Sequence, residues 1–313
     1  VRIVFLGTPD FATIPLAALA NDERYTLVGV VTQPDRATGR SSRLQPPPVK
    51  QQVTALQLDI PVLQPETLRD PSAVAQLAAL RPDVGIVAAY GEILRKSVLT
   101  IPPLGYVNIH PSLLPRHRGP TPVAGAILAG DSATGVTLMR LDAKMDSGPI
   151  LAQQRVPLRA DARTPALTSE LFQLGSALLL DLLARYAAGA VALTPQDDSQ
   201  ATYTALLRKT DGKIAWDVPA IQIERMTRAY DPWPGAWTTW QLQQIKILAA
   251  NVHTDWQGDA PPGTIFDQQG RVWVATGAGA LELVLVQPAG KRPLAAAEWR
   301  RGLRGHADAR LGD

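Results

Sequence analysis

The stretch Arg2-Ile3-Val4-Phe5-Leu6-Gly7-Thr8-Pro9-Asp10 decides the fold. Its first half is a short apolar run of the kind that forms a strand buried on both faces. Gly7 to Asp10 end that run with turn residues. A helical pattern follows over 11–20, with Asp10 as its expected N-cap, and a second strand is expected over 25–32. Strand, helix and strand in that order predict a mostly parallel sheet with right-handed crossovers, an α/β fold of Rossmann-like type. The first turn holds one glycine rather than G-x-G-x-x-G, so no nicotinamide dinucleotide is expected there.

Further along, apolar runs predict strands over 60–63, 84–88, 106–110, 136–141 and 150–156. Helical patterns cover 49–58, 71–80, 123–129 and 164–186, the last closed by Gly189. The composition then changes. Residues 190–208, with Thr194-Pro195-Gln196-Asp197-Asp198-Ser199, read as a linker. Beyond them come a helix over 220–229, the turn Tyr230-Asp231-Pro232-Trp233-Pro234-Gly235, and short strands near 236–241, 245–250, 263–266, 271–276 and 281–286. Short strands at such spacing suggest a small C-terminal OB-like β-barrel. The expected division is therefore 1–189, a linker over 190–208, and 209–313.

The bulk properties narrow the function. A chain of 313 residues, 46% hydrophobic and 19% charged, has the composition of a globular protein with room for two cores. No unbroken apolar run approaches the ~18–20 residues of a membrane span, and the N-terminus lacks signal-peptide character. There are no cysteines, and the four histidines never fall at a metal-ligand spacing. The expectation is a cytoplasmic, metal-free monomer. A net charge of +3 is too small to argue nucleic-acid binding, but its distribution is uneven. Between 33 and 50, Arg36, Arg40, Arg43 and Lys50 face only Asp35, in a loop without apolar periodicity. That loop is a candidate phosphate contact.

Chemistry concentrates in Tyr106-Val107-Asn108-Ile109-His110, which Pro111 ends. Alternation puts Asn108 and His110 on one face, at the strand end where open α/β sheets bind ligands. An amide can stabilise an oxyanion and an imidazole can move a proton. Asp146, in the turn Met145-Asp146-Ser147-Gly148, would complete an acid–base site, although spacing alone does not bring the three together. A serine hydrolase would need G-x-S-x-G, which is missing, and Ser112 lies instead in a Pro111-Ser112-Leu113-Leu114-Pro115 loop of ligand-lining type. A non-catalytic RNA-binding module would use the basic loop and the barrel but leave the Asn–His strand end without a purpose.

These residues resemble the folate-dependent formyltransferases. The matching stretches include Phe5-Leu6-Gly7-Thr8-Pro9-Asp10-Phe11-Ala12, Thr32-Gln33-Pro34-Asp35-Arg36, Ala89-Tyr90-Gly91, Asn108-Ile109-His110, Ser112-Leu113-Leu114-Pro115, Arg118-Gly119 and Met145-Asp146-Ser147-Gly148. Asp231-Pro232-Trp233-Pro234-Gly235-Ala236-Trp237 and Gln287-Pro288-Ala289-Gly290-Lys291 resemble the C-terminal domain of the branch that acts on charged initiator tRNA. The resemblance implies transfer of a formyl group from 10-formyltetrahydrofolate to the α-amine of methionyl initiator tRNA. It implies Asn108, His110 and Asp146 as the catalytic trio, with Asp146 either orienting His110 or holding a proton-relaying water. It further implies Ser112, Leu113, Leu114 and Pro115 against the folate, and Arg36, Arg40 and Arg43 against the tRNA. Neither metal nor nicotinamide is implied. A formyltransferase for a small amine, such as an amino-sugar nucleotide, is the enzyme alternative.

Overall fold

The opening run becomes strand β1 (Arg2–Gly7), buried throughout except at Arg2. A 3-10 turn, Asp10–Ala12, leads into helix α1 (Thr13–Ala20). Asp10 lies inside that turn, its carboxylate accepting from its neighbour Phe11 N at 2.9 Å, and so does not cap the helix as expected. Strand β2 (Thr26–Val31) follows. The polar loop after it holds a minimal hairpin, β3 (Arg36–Ala37) against β4 (Leu44–Gln45). The order continues with α2 (Pro48–Ala55), β5 (Val62–Leu63), α3 (Pro71–Ala79), β6 (Val84–Ala88), α4 (Lys96–Leu99) and β7 (Tyr106–His110). Next come α5 (Pro122–Ala129), β8 (Ala133–Arg140), β9 (Ile150–Pro157) and the long α6 (Thr164–Ala187). This computed structural model describes residues 1–37, 43–302 and 309–312.

The large sheet has the order β5-β2-β1-β6-β7-β8-β9. Its first five strands are parallel, and β8 and β9 add antiparallel at one edge. Strand order reverses about β1, so a crevice opens outside the carboxyl ends of β1 and β6, where such sheets take ligands. Across it Thr8 Oγ1 donates to the Tyr90 carbonyl at 3.0 Å. Alternation fills both faces: Ile3, Phe5, Ile86, Val107 and Ile109 enter one apolar cluster, Val4, Leu6, Val87 and Tyr106 the other.

By length and composition α6 is a helix that could cross a membrane, with 50% of its most apolar window buried inside the protein. Its Phe172, Leu179, Leu183 and Tyr186 lie in the first of those clusters, each such burial stabilising by roughly 1.5–3 kcal/mol. Glu170, Asp181 and Arg185 interrupt the apolar run, which is why the sequence does not read as a span.

Contacts divide the chain into two units. One consists of Val1–Pro122, Ala133–Pro157 and Thr168–Thr204, the other of Val123–Ser132, Leu158–Leu167 and the chain from Ala205 on. Packing departs here from the division expected of the sequence. Residues 190–204 lie with the first unit, because Thr194 bonds to Ile150 in both directions (2.8 and 2.9 Å) and Tyr203 bridges to Arg118. Val191 and Leu193 pack against the first apolar cluster, and beyond them hydrogen bonds hold the stretch, so its composition reads as linker.

The second unit carries α7 (Ala220–Ala229), strands β10 (Ala236–Trp240), β11 (Gln243–His253), β12 (Ile265–Gln268), β13 (Arg271–Ala275), β14 (Ala280–Pro288) and β15 (Leu294–Ala295), and α8 (Ala296–Arg301). Its antiparallel sheet has the order β10-β11-β14-β13-β12, with β15 on β14. Trp216, Ile223, Ile245, Ile247, Val274, Leu281 and Trp299 form its core, and the Trp216 indole N–H donates to Thr238 Oγ1 at 3.0 Å. The proline-rich turn closes on Gly235, whose φ of +77° glycine adopts without strain while its N–H bonds to Tyr230 O at 2.8 Å.

Candidate active site

Strand β7 places two polar side chains in the middle of the sheet. Asn108 lies in register with Val87 on one side and Met139 on the other, and His110 with Thr137. Both are buried, with exposures of 9% and 4%. His110 Nε2 is 3.1 Å from the carbonyl oxygen of His117. A carbonyl only accepts, so Nε2 carries the hydrogen, and the neutral ring has its lone pair at Nδ1. That atom is 3.8 Å from Asp146 Oδ1, too far for a direct hydrogen bond and close enough for strong charge coupling. Burial holds the imidazole below its ordinary pKa of 6.5, outweighing the Asp146 carboxylate, which favours the cation. At neutral pH the ring is therefore uncharged.

Asp146 comes from the turn joining β8 to β9, at φ +49°. Its Oδ2 accepts from Gly119 N at 2.8 Å. Gly119 has a φ of +110°, and a Cβ there would lie 2.4 Å from the Thr204 carbonyl oxygen, so only glycine brings the N–H to the carboxylate. The structure thus joins His110 and Asp146, which spacing alone did not. Asn108 stands two positions earlier on the same strand face.

The loop after β7 is braced from below. Ser112 is fully buried and its Oγ donates to Arg116 O at 2.7 Å, which commits it to the loop's own shape. Thr137 Oγ1 donates to Ser112 O (2.6 Å) and accepts from Leu114 N (3.2 Å), and Gln153 Nε2 donates to Leu114 O (2.8 Å). Leu114 is buried, while Leu113 and Pro115 keep partly accessible surface. Of the four positions expected to touch folate, those two have side chains left to offer.

The basic loop is partly described. Asp35 is fixed by Lys50 Nζ (2.9 Å) and Gln64 Nε2 (2.7 Å), and these bonds, Gln64 first, hold its carboxyl below the usual range. Arg36 pairs with Glu66 at 3.3 Å, both largely exposed. Arg43 is exposed. Arg40 lies outside the described residues.

Two contributors escaped the reading of the sequence. Arg118 is 2% exposed, and its guanidinium donates to Gln196 Oε1 (3.1 and 2.9 Å), Asp198 Oδ1 (2.7 Å) and the Tyr203 hydroxyl (3.2 Å). Gln196 Nε2 in turn donates to the carbonyls of Asp146 (2.9 Å) and Gly148 (2.7 Å). Arg118 stood within a matched motif, whereas nothing in the composition around Gln196 distinguishes it from a solvated loop residue.

An acid–base pair without a nucleophilic side chain, on the rim of an open α/β sheet, suits group transfer between two bound molecules. Residues 1–183 match the formyl transferase family and residues 206–304 its C-terminal domain, and the chain belongs to that family. Within it the chain's place is with the methionyl-tRNA formyltransferases. It is 64% identical over 312 residues to the methionyl-tRNA formyltransferase of Roseiflexus sp. (strain RS-1), covering 100% of this chain and 95% of that one. Identity to the enzyme of that name from Chloroflexus aggregans is 61%, over 96% of this chain and 97% of the other. Among solved structures, an N-formyltransferase from Helicobacter canadensis in complex with folinic acid and dTDP-3-aminofucose shares the fold. Its TM-score is 0.67 at 15% identity, over 90% of this chain and 98% of that one. HypX from Aquifex aeolicus, in complex with tetrahydrofolic acid, shares it at a TM-score of 0.60 and 19% identity, over 97% of this chain and 48% of that one.

Proposed function

We infer that this enzyme transfers the formyl group of 10-formyltetrahydrofolate to the α-amino group of methionyl initiator tRNA. The observation that carries the mechanism is a neutral, buried imidazole whose free Nδ1 faces Asp146 from the strand that bears Asn108. Full-length similarity to methionyl-tRNA formyltransferases supports the choice of acceptor.

In this reading the amine nitrogen attacks the formyl carbon, a C–N bond forms, and the carbonyl oxygen becomes an oxyanion. The Asn108 amide donates to that oxygen. His110 Nδ1 takes the proton released by the amine, and the resulting imidazolium lies against the Asp146 carboxylate, whose charge stabilises it. The intermediate collapses as the bond to the folate nitrogen breaks, and that nitrogen takes the proton from Nδ1. Asp146 acts as orienter and charge partner, with its own carboxylate fixed by Gly119 N. Leu113 and Pro115 flank the folate. Arg36 and Arg43, with Arg40 between them, meet tRNA phosphates, and the C-terminal unit adds to tRNA binding. Asn108, His110 and Asp146 all come from one chain, so a monomer suffices, working in the cytoplasm where charged initiator tRNA is found.

Transfer of labelled formyl from 10-formyltetrahydrofolate is measured with charged initiator tRNA and, separately, with an amino-sugar nucleotide. Label on the tRNA alone is the expected result. Label on the sugar alone overturns the reading of the acceptor, and label on neither overturns the reading as a formyltransferase.

A further inference from the structure

The mechanism depends on the distance between His110 and Asp146, and these residues belong to separate segments. His110 is fixed through its bond to His117 O, and Asp146 through its bond from Gly119 N, so residues 117–119 touch both partners. The turn that carries Asp146 has a second anchor. Gln196 Nε2 uses both of its hydrogens there, one on Asp146 O (2.9 Å) and one on Gly148 O (2.7 Å). The amide oxygen of Gln196 accepts twice from Arg118 (3.1 and 2.9 Å), in the middle of residues 117–119. One side chain thus ties the segment that fixes the imidazole to the turn that fixes the carboxylate.

Gln196 is itself held on both sides. Thr194 exchanges two backbone bonds with Ile150. After it, Arg118 N donates to Thr202 O (2.8 Å) and Thr204 N to Arg118 O (2.7 Å), and Thr202 Oγ1 accepts from His117 N (2.8 Å). An amide whose donors and acceptor are all engaged has a single arrangement available.

We propose that Gln196, in the stretch with the composition of a linker, is a positioning residue for formyl transfer that sets the separation of Asp146 from His110. This rests on the acid–base roles given above. The alternative is that Gln196 only keeps its own stretch folded against the first unit.

Substitution Gln196→Glu separates the two. Length, shape and the acceptor toward Arg118 are kept, while two backbone carbonyls now face a carboxylate instead of an amide NH2. A displacement of about 1 Å at the reacting groups costs on the order of 100-fold in rate, so kcat for formyl transfer should fall about 10- to 100-fold with KM for folate little changed. The pH profile gives the second readout. The titratable groups acting on His110 are Asp146 and His117, and its strand partner Thr137 does not titrate. Asp146 favours the imidazolium, so a displaced Asp146 moves the acid limb of kcat/KM to lower pH. The new carboxylate is paired with Arg118 and stays ionised over this range, so its own titration adds nothing to the profile. The ratio of variant to wild-type activity should therefore rise as pH falls from about 8 to about 6, through the His110 limb alone. Asp198→Ala is the control. It removes the exposed acceptor of Arg118 but leaves the Gln196 bonds in place, and should keep the wild-type profile. If Gln196→Glu does not give folded protein, Gln196→Asn, one methylene short, is read by its kcat loss and the shift of its acid limb.

Wild-type kcat in Gln196→Glu, a kcat loss with an unshifted pH profile, or an equal shift in Asp198→Ala each overturns the proposal. Wild-type protein in the same assay checks the underlying reading, because failure there to formylate charged tRNA points to the proposed function and not to Gln196.

Discussion

Gly148→Ala puts the geometry of the Asp146 turn under direct strain. A Cβ at Gly148 would lie 1.8 Å from the carbonyl oxygen of Arg140, 3.0 Å from its carbon and 3.4 Å from Asp142 N. Ordinary C···O approach begins at about 3.3 Å, so the two backbones must part by about 1.5 Å. No rotamer relieves this, because every contacted atom is main chain. Gly148 is not among the glycines with positive φ, so the strain is steric and not conformational. Overpacking of this kind costs roughly 1–3 kcal/mol of stability. Function should suffer more, because Gly148 O receives Gln196 and Asp146 lies two residues earlier. If most of the displacement reaches the carboxylate, kcat falls on the order of 100-fold. The assay is single-turnover formyl transfer to charged tRNA, with thermal unfolding and folate titration alongside. A folded Gly148→Ala protein with wild-type kcat would refute the claim that this turn sets the chemistry.

Other consequences are as specific. Burial lowers the His110 pKa below 6.5, and the base must be unprotonated to work, so kcat/KM should rise with pH along a His110 limb centred below pH 6.5. A limb centred above that value contradicts a neutral buried imidazole. The same shift makes buried neutral His110 contribute stability that is present above its unfolded pKa and lost as pH falls through the lower folded value, visible as a Tm decrease that His110→Gln lessens. Arg36→Ala should leave Tm unchanged, because an exposed pair with Glu66 stabilises by only ~0–1 kcal/mol. It should raise KM for tRNA and lower the salt slope of tRNA binding by about one, and an unchanged slope removes Arg36 from the tRNA contact.

The parallel sheet was legible because buried strands such as Val84–Ala88 read as unbroken apolar runs between helical patterns. The Asn108–His110 strand end was legible for the same reason, through alternation on Tyr106–His110. Its partnership with Asp146 was not, since the distance depends on how the β8–β9 turn folds back and on Gly119, whose backbone N–H carries no signal in side-chain chemistry. Arg36 could be seen as a charge, but Glu66, thirty positions on, could not be seen as its partner. The 190–204 stretch misled for a physical reason. Beyond Val191 and Leu193, which pack on the core, hydrogen bonds from Arg118 and Gln196 hold it, and polar anchoring has no periodicity for a sequence pattern to detect. Ser112 Oγ donates to Arg116 O, a local bond that only the folded loop reveals.

The central claim is that a neutral His110, with Asp146 beside it and Asn108 on the same strand face, carries the formyl transfer. Its most direct test is the rate of labelled formyl transfer from 10-formyltetrahydrofolate to methionyl initiator tRNA by folded His110→Ala, with folate affinity measured on the same preparation. General-base catalysis supplies ~10²–10⁴-fold, so a turnover loss in that range with folate affinity retained is the expected result. A properly folded His110→Ala protein that turns over at close to the wild-type rate would contradict it.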